Sequence, residues 1–394
     1  MKKLLFLLMM LGAITVPRLG FFDLFVFASF LLFCLICITN KNIKNNHLLF
    51  VIIICFLLLL FTSMISFIFE WDYFGIIRIF RVYVSLMLVL LIAVNYDDYE
   101  KIFYRMFFWL LLVNTSLLYV EYLGGSVGKE IVTYMNSIFY EGRVVDFRAR
   151  GLYAGYSAAG VLSGLGSIFL LGFIQNKKIS LYPGYFLYFL LLVSTFFTGR
   201  TGMFIALLGF SYYCFVSIRY LNLKFFFWVT FFCSITFILV IKSGALDNEN
   251  MSITVLRTFE FWFNLQQSGS ISTESTNQLY NTFNLPDSPR AFLIGTGKEP
   301  WSESNFSVSE SSDSGFVQTI QLYGIFGLFL YYFPMLFCLF LLFKSKFYSL
   351  SFFFILCLSL VISDVKGHYI YTSFVLVCVF FPLFSHLKIN KSSM

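Results

Sequence analysis

Twelve predominantly apolar stretches punctuate this 394-residue chain, and most approach the roughly 17–25 residues a helix needs to cross about 30 Å of hydrocarbon. They run Leu4 to Val16, Phe21 to Thr39, Leu48 to Phe69, Tyr73 to Asn95, Ile102 to Tyr122, Leu152 to Ile174, Leu181 to Phe197, Thr201 to Ile218, Phe225 to Ile241, Phe316 to Phe343, Leu350 to Ser363 and Tyr369 to Leu387; the first and eleventh are short. A water-soluble core cannot absorb them. The chain is 59% hydrophobic and 12% charged, where soluble domains carry about 25% charge. The expected fold is all-α: residues 1–394 form one polytopic membrane bundle of about twelve transmembrane helices.

Met1-Lys2-Lys3 followed by an apolar run also fits a secretory leader, but no A-x-A-like cleavage site follows, so Leu4 to Val16 is read as a span. All eight cysteines fall inside predicted spans. There they behave as small hydrophobes, and no disulfide framework or zinc site is expected.

With Lys2 and Lys3 in the cytoplasm, twelve crossings leave both termini cytoplasmic. Twelve of the sixteen lysines then face the cytoplasm, which satisfies the positive-inside bias. The arginines run the other way. Arg18, Arg78, Arg81, Arg143, Arg148, Arg150, Arg200, Arg257 and Arg290 fall in external loops or the outward halves of spans; only Arg105 and Arg219 do not. Insertion energetics works against that distribution, so a compensating external anion is expected. The planar guanidinium fork grips phosphate in a bidentate manner that lysine cannot match. The inference is an outer-leaflet site for a phosphorylated, diphosphate-bearing lipid; solvated or carboxylate-paired loop arginines are the plainer alternative.

Residues 242–315 form a large polar external loop between spans nine and ten, and 123–151 the second largest. Loops of such length usually carry function or lack fixed structure. Met251 to Gln266 has apolar residues at helical spacing and is expected to lie along the membrane surface, whereas Ser302 to Ser314 is serine-rich and acidic. Gly151, Gly155, Ala159, Ser163 and Ser167 form a stripe of small residues, most simply a helix-packing seam.

Arg78 and Arg81, three apart, project from one face of the fourth span, and charges at membrane depth are functional by default. Pairing with Glu70 and Asp72 is the alternative. Arg143, Arg148 and Arg150 crowd the end of the second loop, and Arg200 occupies the tight Thr198-Gly-Arg-Thr turn. No nucleotide-binding loop and no metal cluster is visible. Gly295-Thr-Gly297 reads as a turn before it reads as a phosphate cradle. Asp313, just ahead of the tenth span, is a candidate general base, with Glu260 and Glu141 as alternatives.

Four patches taken together resemble the O-antigen polymerase and O-antigen ligase superfamily of bacterial membrane glycosyltransferases. They are Arg148-Ala-Arg-Gly-Leu-Tyr-Ala-Gly-Tyr-Ser-Ala-Ala159, Phe196-Phe-Thr-Gly-Arg-Thr-Gly202, Arg257 followed by Trp262 and Leu293-Ile-Gly-Thr-Gly297, and Asp313 to Gly327. The second lacks the family's serines, so only Arg200 carries over there. Ligases of the superfamily place a histidine in the large loop, and this loop has none, which tilts the reading towards polymerase.

The resemblance implies a metal-independent, GT-C-like enzyme without cofactor. It would join undecaprenyl-diphosphate-linked oligosaccharide repeat units outside the bacterial cytoplasmic (inner) membrane, in lipopolysaccharide or other surface polysaccharide synthesis, and release undecaprenyl diphosphate. Asp313, Arg200 and Arg257 are the expected catalytic residues. Arg148, Arg150, Arg81, Arg78, Arg143 and Arg290 are the expected diphosphate ligands. Membrane lipids and a chain-length regulator are the implied partners, and no nucleic acid is expected. An O-antigen ligase shares the chemistry and differs in acceptor; a lipid-linked oligosaccharide flippase is the alternative from another class.

Overall fold

The computed structural model describes residues 1–15, 18–19, 22–40, 47–96, 99–137, 148–153, 155–219, 253–254, 256–257, 260–269, 273, 276–277, 280, 285–286, 288–298 and 314–392. The ninth predicted span, Arg143, Glu141, Asp313 and most of the serine-rich stretch lie outside these.

Among the described residues the architecture is helical: α1 (Lys2–Thr15), α2 (Leu24–Thr39), α3 (His47–Glu70), α4 (Phe74–Asn95), α5 (Tyr99–Leu123), α6 (Gly125–Ser137), α7 (Tyr156–Gln175), α8 (Leu181–Thr198), α9 (Arg200–Arg219), α10 (Glu260–Ser268), α11 (Pro289–Ile294), α12 (Gly315–Lys344), α13 (Leu350–Lys366) and α14 (Ser373–Ser392). A two-residue antiparallel pair, Arg18–Leu19 against Phe22–Asp23, turns the chain between α1 and α2. Among the described residues six helices are long and apolar enough to span a bilayer: α3, α4, α5 from Ile102, α7, α8 and α12. The protein is therefore a helical, membrane-embedded one.

Local sequence sets the helix ends. Asp23 caps α2 by accepting from Phe25 N at 3.0 Å, and Ser288 caps α11 by accepting from Ala291 N, with Pro289 in the first turn where its missing N–H costs nothing. Gly324 has φ 68° inside α12 and breaks it into two helical segments.

The central helix is α7, buried continuously from Ala159 to Ile174. By contrast α3 presents Phe50, Leu57, Phe61 and Ile68 outward, each more than half exposed, a surface that only lipid can cover. Aromatic rings tie α1, α5, α7 and α14 together: Phe6 lies 5.7 Å from Tyr96 and 5.4 Å from Phe381, Phe381 5.2 Å from Phe103, and Phe173 5.0 Å from Phe107.

The closest approach is between α7 and α9. A Cβ on Gly202 would stand 1.8 Å from the Gly160 carbonyl oxygen, and one on Gly164 2.5 Å from that of Gly202. The small-residue seam thus runs through Gly160 and Gly164, one register away from the expected stripe. Gly155 faces open space, and Gly151 packs against Asn114 of α5 instead. Helix phase explains the shift, since the alternation of small residues in this segment offers two adjacent stripes and only the neighbour's glycines select between them.

Candidate functional site

The arginine mouth is built from a short extended loop laid across two helices. Ala149 N donates to the Phe197 carbonyl at 2.9 Å. Arg150 N and Gly151 N both donate to Glu121 Oε2 at 2.8 Å, and Leu152 N donates to Asn114 Oδ1 at 2.8 Å. Gly151 has φ 56°, and a Cβ there would meet Asn114 Oδ1 at 2.7 Å. The loop is therefore fixed to α5 and to the end of α8, immediately beside the first residue of α9, Arg200.

The segment containing Arg257 and Glu260 closes over this corner. Tyr122 Oη donates to Thr254 Oγ1 at 2.9 Å, and Phe261 packs 6.3 Å from Phe204 of α9. Arg200 Nη1 lies 2.5 Å from Glu260 Oε2. Burial first, then the charges of Arg257 and Arg200, pull the Arg148 guanidinium below the ordinary arginine range. Arg148 thus comes within electrostatic reach of both Arg200 and Arg257, from three distant parts of the chain. Guanidinium groups gathered in this way suit a phosphate or diphosphate.

Arg150 follows in the same loop. It is 2% exposed, its Nε has no hydrogen-bond partner, and its guanidinium carbon stands 5.9 Å from the Tyr156 ring centroid. A buried donor left unsatisfied costs about 1–3 kcal/mol, and this one has no acceptor among the described residues.

Three other expected arginines have partners of their own. Arg81 does not reach Glu70 or Asp72; it pairs with Asp23 at 2.7 Å, whose other oxygen caps α2. Arg290 pairs with Glu70 and lies 4.4 Å over the Phe69 ring, and Lys298 approaches the same carboxylate at 2.8 Å. Arg78 faces a polar cluster near Tyr331, Asp364 and His368. There Tyr332 donates to Asp364, and His368 Nδ1 is 3.4 Å from Thr319 Oγ1.

Gly295-Thr-Gly297 is a packing turn. Thr296 N donates to the Gln321 carbonyl at 2.8 Å and Gly297 N to that of Leu322 at 3.0 Å, so these amides are consumed by the kink of α12. A Cβ on Gly295 would fall 2.2 Å from Leu322 O, and one on Gly324 2.3 Å from Leu293 C. The two left-handed glycines are mutual requirements of that contact.

Sequence reasoning overlooked Glu121 and Asn114, which position the loop. The available signal was two polar residues seven apart, hence on one face, in an otherwise apolar span. Among the described residues no group of His, Cys, Asp and Glu could hold a metal. No protein-family model matches the chain, and no curated protein does either.

Proposed function

We propose that this protein is a surface-polysaccharide polymerase of the O-antigen polymerase and ligase superfamily, a GT-C-like bundle of about twelve spans in the bacterial cytoplasmic membrane with both termini cytoplasmic and residues 242–315 as its large external loop. The gathering of Arg148 with Arg200 and Arg257 supports this reading above all, because guanidinium groups brought together at the end of a membrane bundle favour an anion bound among them.

In the proposed reaction the diphosphate of a lipid-linked glycan is held by Arg148, Arg200 and Arg257, with Arg150 completing the clamp. The acceptor sugar hydroxyl attacks the donor's anomeric carbon and surrenders its proton to Asp313. The bond from that carbon to the diphosphate oxygen breaks, and undecaprenyl diphosphate leaves carrying the electron pair. The arginines act by stabilising charge that grows on the leaving group, a contribution whose removal typically lowers rate by about 10²–10³-fold.

The test is reconstitution. Purified protein supplied with an undecaprenyl-diphosphate-linked repeat unit yields a ladder of products without nucleotide, and R148Q, R200Q and R257Q each abolish most of it. A single addition to a non-repeat acceptor would identify a ligase instead. Full activity in all three variants would remove the basis of the proposal.

A further inference from the structure

The end of the bundle opposite the arginine mouth carries a cleft of about 510 Å³ between the start of α5 and the α7–α8 connector. Its polar lining comprises Glu100, Arg105, Lys177 and Lys178; Tyr104, Phe108, Ile179 and Pro183 supply apolar walls. That it lies at the far end follows from connectivity. α7 begins at the mouth and its 20 residues span about 30 Å at 1.5 Å per residue.

The lysines are held in place by the helix terminus. Lys177 N donates to the Ile174 carbonyl and Lys178 N to that of Phe173, both at 2.9 Å, the pairing of a left-handed helix stop with Lys177 at φ 55°. Lys178 is spoken for: its Nζ lies 2.5 Å from Glu100 Oε1 and 5.8 Å from the Tyr104 ring centroid. Glu100 is thereby neutralised. Arg105 and Lys177 are both exposed and pair with no carboxylate among the described residues, so the cleft is left with two positive charges. Arg105 sits only a few residues inside the apolar part of α5, at the depth where headgroups meet acyl chains, with Trp109 exposed one turn further in.

We infer that this cleft is a binding site for the phosphate of an anionic phospholipid headgroup, with Arg105 and Lys177 as its ligands and Phe108 and Trp109 as the surface along which an acyl chain lies. A cleft of a few hundred Å³ accommodates a glycerophosphate. Basic pockets between transmembrane helices on the lysine-rich side have the charge and the position to collect such lipids from the adjoining leaflet. The carboxylate beside them fixes Lys178 against Tyr104 and sets the rim's shape. This site is independent of the proposed catalysis and shares no residue with it.

The experiment uses the full-length protein in micelles with photoactivatable phosphatidylglycerol, and adducts are mapped by peptide mass spectrometry. Labelling is expected on the peptides covering 100–109 and 177–183, exceeding that by a photoactivatable phosphatidylcholine. It should fall by about fivefold for each charge removed in R105Q, K177Q and the double variant. K346Q, another lysine at left-handed φ (56°) but outside the cleft, should label as the wild type does. Inorganic phosphate as competitor separates the sources: displacement means that a free phosphate group satisfies the cleft, and no displacement means that the lipid chain is required, both upholding a phosphate site. Equal labelling by the zwitterionic lipid, or undiminished labelling of monodisperse R105Q/K177Q, overturns it.

Discussion

Replacing Gly202 by alanine should damage stability and activity together, because the contact it occupies also sets the position of Arg200. The added Cβ would lie 1.8 Å from the Gly160 carbonyl oxygen and 2.3 Å from its carbon. A carbon–oxygen contact settles at about 3.3 Å, so α7 and α9 must separate by about 1.5 Å. Both obstructing atoms are backbone, and no rotamer change relieves them. Overpacking of this kind costs about 1–3 kcal/mol. The displaced end of α9 carries Arg200, whereas Arg148 stays on a loop anchored to α5 and α8. A misplacement of about 1 Å can lower a rate by about 10²-fold. The assay pairs thermal unfolding in detergent with the polymerisation ladder, using two controls. Gly209→Ala meets the Ile168 Cδ1 methyl at 2.5 Å, the far end of a side chain that can turn away, and Gly155→Ala meets nothing within 4 Å. If Gly202→Ala melts and polymerises as Gly209→Ala does, the reasoning from close helix approach is wrong.

Glu260→Gln frees Arg200 from its competing carboxylate, so pyrophosphate should bind more tightly, by up to about tenfold for about 1.4 kcal/mol; calorimetric titration that showed weaker binding would instead make Glu260 a positioning group. Gly324→Ala, at φ 68° and 2.3 Å from Leu293 C, should release the Leu293–Gly297 turn and cost more than about 2 kcal/mol, read as a lowered melting temperature and faster proteolysis near residue 290. His368, between α13 and α14, is held neutral well below the usual histidine range by burial first and then by the Arg78 charge. Its folded-state pKa is depressed, so the unfolded chain takes up the proton first. Stability is therefore present above about pH 6.5 and is lost as pH falls, by up to about 1.4 kcal/mol per unit. His368→Asn should lose less stability than the wild type between pH 7 and 5, and parallel pH profiles would refute this.

Much of the fold was legible because lipid imposes a local rule. Eleven of the twelve apolar stretches coincide with described helices, and their ends moved by a few residues where Asp23, Tyr73 or Gly199 sets a cap or break. Within 251–266, where a helix was expected, residues 253–254, 256–257 and 260–266 are helical. By contrast, α6 in the second loop was not anticipated, and the kink at Gly324 could not be read from an apolar run containing an ordinary-looking glycine.

The arginines divide along the same line. Their excess on one side was countable, but charge bias alone could not tell that Arg148 lies near Arg200 and Arg257, or that Asp23 takes Arg81, Glu260 takes Arg200 and Glu70 takes Arg290.

By itself, then, the sequence determined that this chain lives in a bilayer as helices, since membrane insertion depends on the composition of each contiguous segment. Only the tertiary structure decided that Glu121 and Asn114 hold the Arg148 loop, that Gly160 rather than Ala159 meets α9, and that three guanidiniums share one corner. Those outcomes depend on which faces of distant helices come within a few ångströms, and no local property of a segment carries that information.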